Sequence, residues 1–220
     1  MITVNQPREN GRTTFCRQFT YNPKGEYNSR RDGAIVSGMP VAGQPASALP
    51  VGTKIALTDP AKLSPNEVGY IVIQQNEDTV YLTTDAHQVT GTWTNRDTTA
   101  QQFIADMTDQ AQAVCTLVRG AMERWELSAE VWPTGKQALT YFAGLTSEQT
   151  PKREFWSDYW TNTRSTMSNL SYSYIRKNGM CANNDASAPN TTHALRPLLS
   201  IPSSTLVSSQ PNAAGAYELV

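Results

Sequence analysis

The hydrophobic pattern changes character along this chain, and each change predicts a different kind of element. Up to residue 50 there is no sustained period. Asn, Gly, Pro and Thr dominate, and Gly38 to Gly52 is punctuated by Pro40, Pro45 and Pro50. Such punctuation predicts an extended arm over residues 1–50, with one short strand at Ala34–Ser37. The compact part is expected to begin at Val51. Lys54–Thr58 alternates weakly and reads as a strand. Tyr70–Gln75 and Thr79–Asp85 are β-branched and aromatic, and Asn76-Glu77-Asp78 between them signals a hairpin. Val89–Thr94 is expected to continue the meander.

A helical period follows. Phe103, Met107, Ala111, Val114, Val118, Met122 and Trp125 step by three or four residues, which places them on one face of a helix from about Thr99 to Trp125. Thr98 with Gln101, or Thr99 with Gln102, is a capping box for its start. The stripe is expected to pack on the sheet of the same chain, the alternative being that it pairs two chains. A shorter helix is predicted from Lys136 to Ala143, stopped by Gly144. After Pro151 the helical period disappears, and Trp, Tyr, Ser and Asn take over.

Composition sharpens this picture. Charged residues make up only 17% of the 220, against ~25% in an average soluble domain. Thr, Ser, Asn and Gln supply 70 residues instead, which suits β-structure and long ordered loops better than a helical bundle. Five Trp, nine Tyr and five Phe are too much aromatic surface for a disordered chain. No apolar run reaches the ~20 residues of a membrane span, and MITVNQPREN has no apolar core of a secretory signal. The net charge of −1 argues against a general nucleic-acid binder. Cys16, Cys115 and Cys181 are too widely spaced for a disulfide framework or a metal knuckle, so buried, reduced thiols made in a reducing cytoplasm are expected.

The charge is unevenly placed. Residues 1–31 hold six basic side chains against Glu9 and Glu26, a balance of +4, which leaves −5 on the rest. Arg12, Arg17, Arg30 and Arg31 could make charge-assisted contacts, with Phe15, Phe19, Tyr21 and Tyr27 as apolar anchors. The arm therefore reads as a segment that orders against a partner, the alternative being a frayed terminus.

The last third carries a resemblance to a known family. Trp132-Pro133-Thr134-Gly135-Lys136 opens the predicted short helix, and Asp158-Tyr159-Trp160-Thr161-Asn162-Thr163 follows. Next come Tyr174-Ile175-Arg176-Lys177-Asn178-Gly179, a polar loop with Asn184 and Asn190, and Leu195-Arg196-Pro197-Leu198-Leu199-Ser200-Ile201. In this order the pieces resemble the C-type-lectin-like modules of phage and bacterial surface proteins, relatives of the formylglycine-generating-enzyme fold. The likeness covers residues 130–220, with Val51–Thr94 as an N-terminal half. It implies an α+β class: small twisted antiparallel sheets with two helices over residues 51–220, carried on the arm.

Individual residues fit roles within that picture. Pro197 has no amide donor, so its strand must be an edge or carry a bulge. Arg196 can fork onto a loop carbonyl or carboxylate as a strut. Trp156 and Trp160 either cover the junction of sheet and helices or lie in the core. The loop from Asn178 to His193 would be displayed, with Asn183, Asn184, Asp185, Asn190, Thr191 and Thr192 offering adaptable polar contacts, or else it is simply solvated.

Catalytic patterns are missing: there is no G-x-S-x-G elbow, Walker loop or H-E-x-x-H motif. His87 and His193 are the only imidazoles. A Cys181–His193 nucleophile pair competes with the far commoner structural histidine. Enzymes of the resembled fold use two cysteines near the end of the chain, and only Cys181 stands there. No Glu-Pro-Asn or Gln-Pro-Asp calcium loop is present, so neither a metal nor a cofactor is expected. The sequence thus points to a non-enzymatic virion protein of a tailed phage, a head decoration or tail adhesin assembled in the host cytoplasm. Its expected partners are other capsid or tail proteins and a host glycan or protein, without nucleic acid or membrane insertion, and with self-association left open. The alternatives are a hydrolase or transferase with an unrecognised site, and an adhesion module of a bacterial surface protein.

Overall fold

In the computed structural model the described residues are 43–128, 136–145, 151–164, 172–183 and 191–220, together with the backbone of 3–5 and 18–20. The chain divides into two units, Met1–Ala42 and Gly43–Val220. In the first, β1 (Thr3–Asn5) and β2 (Gln18–Thr20) pair antiparallel, with Val4 opposite Phe19. The expected strand at Ala34–Ser37 lies outside the described residues. The boundary falls before the expected residue 50, because Ala46 and Leu49 are buried in the core of the second unit.

That second unit is built mainly of strands. Lys54–Ala56 (β4), Tyr70–Gln75 (β5), Thr79–Thr84 (β6), Thr116–Arg119 (β8), Leu198–Pro202 (β13) and Ala216–Glu218 (β15) form a six-stranded sheet in the order β15-β4-β5-β6-β13-β8. Thr90–Thr92 (β7), Tyr159–Arg164 (β9), Tyr172–Ile175 (β10), Cys181–Asn183 (β11) and Thr192–Ala194 (β12) form a second sheet, ordered β11-β10-β9-β12-β7. Gly43–Pro45 (β3) pairs with Leu206–Ser208 (β14).

The predicted hairpin forms as read. Asn76 caps its turn by accepting through Oδ1 from the amides of Asp78 (3.1 Å) and Thr79 (2.8 Å), the turn chemistry for which Asn is favoured. The apolar run Tyr70–Ile73 is buried on both faces of the sheet. Tyr70, Val72, Val80 and Leu82 face one core with Leu199 and Ile201. Ile71 and Ile73 face another, shared with Phe142, Phe155, Tyr159 and Ile175. Val89–Thr94 does not continue the meander: β7 leaves the sheet of β5 and β6 and pairs with β12.

The two-helix α+β architecture is not what forms, and the long helix is the main correction. A helical stretch covers α1 (Arg96–Thr99) and α2 (Gln101–Ala105), and α3 is only Asp109–Val114. Between them Met107 bridges to Thr58, and Thr108 donates its amide to the Leu57 carbonyl (3.0 Å). Thr108 then restarts the helix, its hydroxyl accepting from Ala111 N (3.2 Å). Past Cys115 the β-branched Thr116 and Val118 enter the sheet as β8, beside β13. Gly120 makes the turn after it, where a Cβ would stand 2.4 Å from the Arg96 carbonyl oxygen.

The supposed stripe is therefore shared out. Phe103 packs in one core with Trp160, Met107 and Ala111 join the core with Val72 and Leu82, Met122 joins the one with Ile73 and Phe142, and Val118 is 42% exposed. Neither Thr98 nor Thr99 caps a helix, since both lie at the end of α1. The capping box is at Glu123 and Glu126, on the 3-10 turn Arg124–Leu127. The helix expected over Lys136–Ala143 is a single 3-10 turn, Thr140–Phe142, ending at Gly144 with φ of 81°.

Candidate functional site: an aromatic and cationic sheet face

The five-stranded sheet concentrates the chain's aromatic rings by simple alternation. On β9, Trp160, Asn162 and Arg164 share one side, and on β10 Tyr172 and Tyr174 do. The register sets Tyr174 opposite Trp160 and Tyr172 opposite Arg164. On β12 and β7, His193 pairs with Gly91. The missing side chain at Gly91 matters, because a Cβ there would press on Asn95 Oδ1 (3.1 Å) and Leu195 (3.3 Å).

Two indoles lock the strands together. Trp160 Nε1 donates to the Gly91 carbonyl and Trp93 Nε1 to the Thr161 carbonyl, both at 2.9 Å. Over this layer the rings stack. Tyr172 lies 4.2 Å from the Trp93 ring, Tyr174 5.0 Å from His193, and His193 4.3 Å from Trp160. The Arg96 guanidinium stands 4.0 Å from the Trp93 ring and that of Arg164 5.6 Å from it, contacts worth ~0.5–2 kcal/mol each according to desolvation.

A polar chain leads away from this face. Arg96 donates to Asn162 Oδ1, and Asn162 donates to Glu123 Oε1 (2.6 Å), which also receives Arg119 (3.3 Å). Thr163 donates to Glu123 Oε2 (2.6 Å), and Arg119 closes on Glu126. Burial holds the Glu126 carboxyl above its ordinary range although Arg119 opposes the shift. The face thus carries ring surfaces, two guanidinium groups and a hydrogen-bonded carboxylate network.

The residues singled out from sequence distribute as follows. Trp160 is fully buried beneath the stacked rings, while Trp156 is half-buried against the Phe155 ring, 5.8 Å away. Arg196 is 2% exposed. Its Nη1 donates to the Lys152 carbonyl (3.3 Å), and its guanidinium lies 5.3–5.6 Å from the rings of Phe142, Phe155 and Tyr159. Pro197 directly precedes β13, and its carbonyl accepts from Thr83 Oγ1 (2.8 Å). Pro197 itself stands outside the strand, and the β13–β8 register slips after it, between Leu198 and Leu199.

Of the stretch Asn178–His193 expected as a loop, the described residues include strand towards both ends, Cys181–Asn183 and, in β12, Thr192 and His193. Arg176–Gly179 is the turn of the β10–β11 hairpin. Thr191 is half-buried just ahead of β12. Asn184, Asp185 and Asn190 lie outside the described residues, as do Arg12, Phe15, Cys16, Arg17, Tyr21, Arg30 and Arg31; Phe19 is described only as backbone of β2. Cys181 and His193 stand on strands three places apart in the sheet, roughly 14 Å at ~4.8 Å per strand, and do not form a pair. Cys115 is buried, and its thiol is pushed up to about 12 by desolvation.

Sequence reading missed Trp93, Arg96, Tyr172 and Arg164. The alternation in Tyr159–Arg164 and Tyr172–Ile175 was the available signal, but their register was not. Among the described residues, no three His, Cys, Asp or Glu side chains are grouped to hold a metal ion, and no helix is long and apolar enough to cross a membrane. No family model, no curated protein and no solved structure matches the chain.

Proposed function

We propose that this chain is a non-enzymatic surface protein of an assembled particle, of the virion kind, docked by its N-terminal unit and presenting the β-rich unit outward. The carrying observation is that the change of charge coincides with the division of the chain. Residues 1–42 hold six basic and three acidic side chains, a balance of +3, and the second unit holds −4. A basic segment of this length suits an acidic protein surface, where its arginines can make charge-assisted contacts. The second unit has its own cores and its own polar, ring-bearing face for a host protein or glycan.

The test is mass spectrometry of particles purified from the native host, with copy number. Hundreds of copies would support a decoration role and a handful a tail-tip role; absence from every particle fraction would overturn the reading. Chains beginning at Gly43 should remain folded and fail to incorporate, and raised salt should loosen the intact protein, because exposed charges are screened beyond ~8–10 Å.

A further inference from the structure

At the polar end of the six-stranded sheet lies a cleft of about 530 Å³, within the ~300–1,000 Å³ range of ligand pockets. Its floor crosses the sheet on successive strands: Gln74 is paired with Tyr81 on β6, and Leu198 on β13 is paired with Arg119 on β8. One wall is the 3-10 turn bearing Trp125 and Glu126. The other includes Gln137, and the two are tied by the Leu139 amide, which donates to the Glu126 carbonyl (3.0 Å).

The lining has an unusual chemistry. Glu126 is 4% exposed and paired with Arg119, and its other oxygen accepts from the Glu123 amide (2.7 Å), so the charges cancel within the wall. The amides of Gln74 and Gln137 and the Tyr81 hydroxyl have no protein partner among the described residues. The indole Nε1 of Trp125 is buried without one, and such a group calls for an explanation. The Lys136 ammonium lies 5.0 Å from the same indole ring.

We infer that this cleft binds a neutral carbohydrate. Within the lining a free anion or cation would find Arg119 and Glu126 already paired with each other, and Lys136 stands outside the lining, against the indole. An aliphatic ligand would strand the amides and the hydroxyl without partners. A sugar meets both demands: its hydroxyls pair with Gln74, Gln137 and Tyr81, and its C–H face covers Leu198 and the aromatic rims. The inference deepens the display reading above, since it names a ligand class for the outward unit and moves the contact from the ring-bearing face of the five-stranded sheet to the cleft.

The experiment is a glycan array probed with the full chain, followed by calorimetric titration of the strongest sugar against Gln74→Leu, Tyr81→Phe and Gln137→Ala. Each variant is expected to bind roughly three- to tenfold more weakly, the loss from removing one hydrogen bond, with an unchanged melting midpoint. No sugar bound, or equal affinity in all three variants, overturns the inference. Particle incorporation is measured on the same proteins. Incorporation without sugar binding overturns the cleft alone, and sugar binding without incorporation overturns the display reading alone.

Discussion

His87 shows how much one residue can organise. It is 2% exposed, with Nδ1 2.7 Å from Glu67 Oε2 and Nε2 3.1 Å from Asp106 Oδ2. Glu67 is also held by Thr58 Oγ1 (2.5 Å) and by the Ser64 amide (2.9 Å). Three separate segments are thereby clasped, and both ring nitrogens are occupied, which leaves no free base. Burial works against the imidazolium, but the hydrogen bonds and charges of Glu67 and Asp106 outweigh it and hold the His87 pKa above its usual value. Burial likewise opposes the Glu67 carboxylate, and its bonds to His87, Thr58 and Ser64 outweigh it and hold its pKa down.

The signs of these shifts set a pH window. The contribution of His87 is complete below ~6.5 and is lost as pH rises through its raised folded value; that of Glu67 is complete above ~4.5 and is lost as pH falls through its lowered one. Thermal melts should therefore show a midpoint that is highest between those limits and declines on the alkaline side. In His87→Gln that alkaline decline should flatten, and the protein should lose about 3–5 kcal/mol near pH 6, as expected when one partner of a buried ion pair is removed. An unchanged alkaline slope would show that the clasp does not carry it.

At the scale of elements, the segment from Arg96 to Leu127 is the instructive one. Its three- and four-residue spacings suit a helix, yet the same spacings also arise when short helices, a strand and a turn follow one another. What breaks the helix is competition for its backbone: residues 57–59 take the amides and carbonyls of 106–108 into a ladder, and β13 takes those of 116–119. Thr108→Ala should cost about 1 kcal/mol by removing the cap of α3. Gly120→Ala should cost more, ~1–3 kcal/mol, because the added carbon meets backbone rather than a flexible side chain. Urea melts with an unchanged slope would measure both; equal costs would mean that the turn yields freely.

At the scale of the whole molecule, the body and the N-terminal unit make separate predictions. Removing residues 1–42 should leave the midpoint of the second unit nearly unchanged, because Ala46, Leu49 and Ile55 complete its core without them. A large drop would place the arm in the core and send the search for a docking surface to the acidic unit.

Much of this was legible in the sequence alone where the controlling contacts are local. The Asn76 turn and the strands on either side of it and the basic N-terminal segment are written in neighbouring residues, because turn chemistry, alternation and charge act over a few positions. The long helix failed because the spacing of Phe103 to Trp125 does not say which backbone partners will compete for the same hydrogen bonds. The candidate site was hidden for the same reason. Arg96 reaches Asn162 across 66 positions, Asn162 reaches Glu123 across 39, and the Trp93–Tyr172 stack depends on the register of strands far apart in the chain. Residue types and local periods are properties of the sequence. Which rings stack, which carboxylates share an arginine and where a cleft opens are decided only when distant strands settle their register against one another.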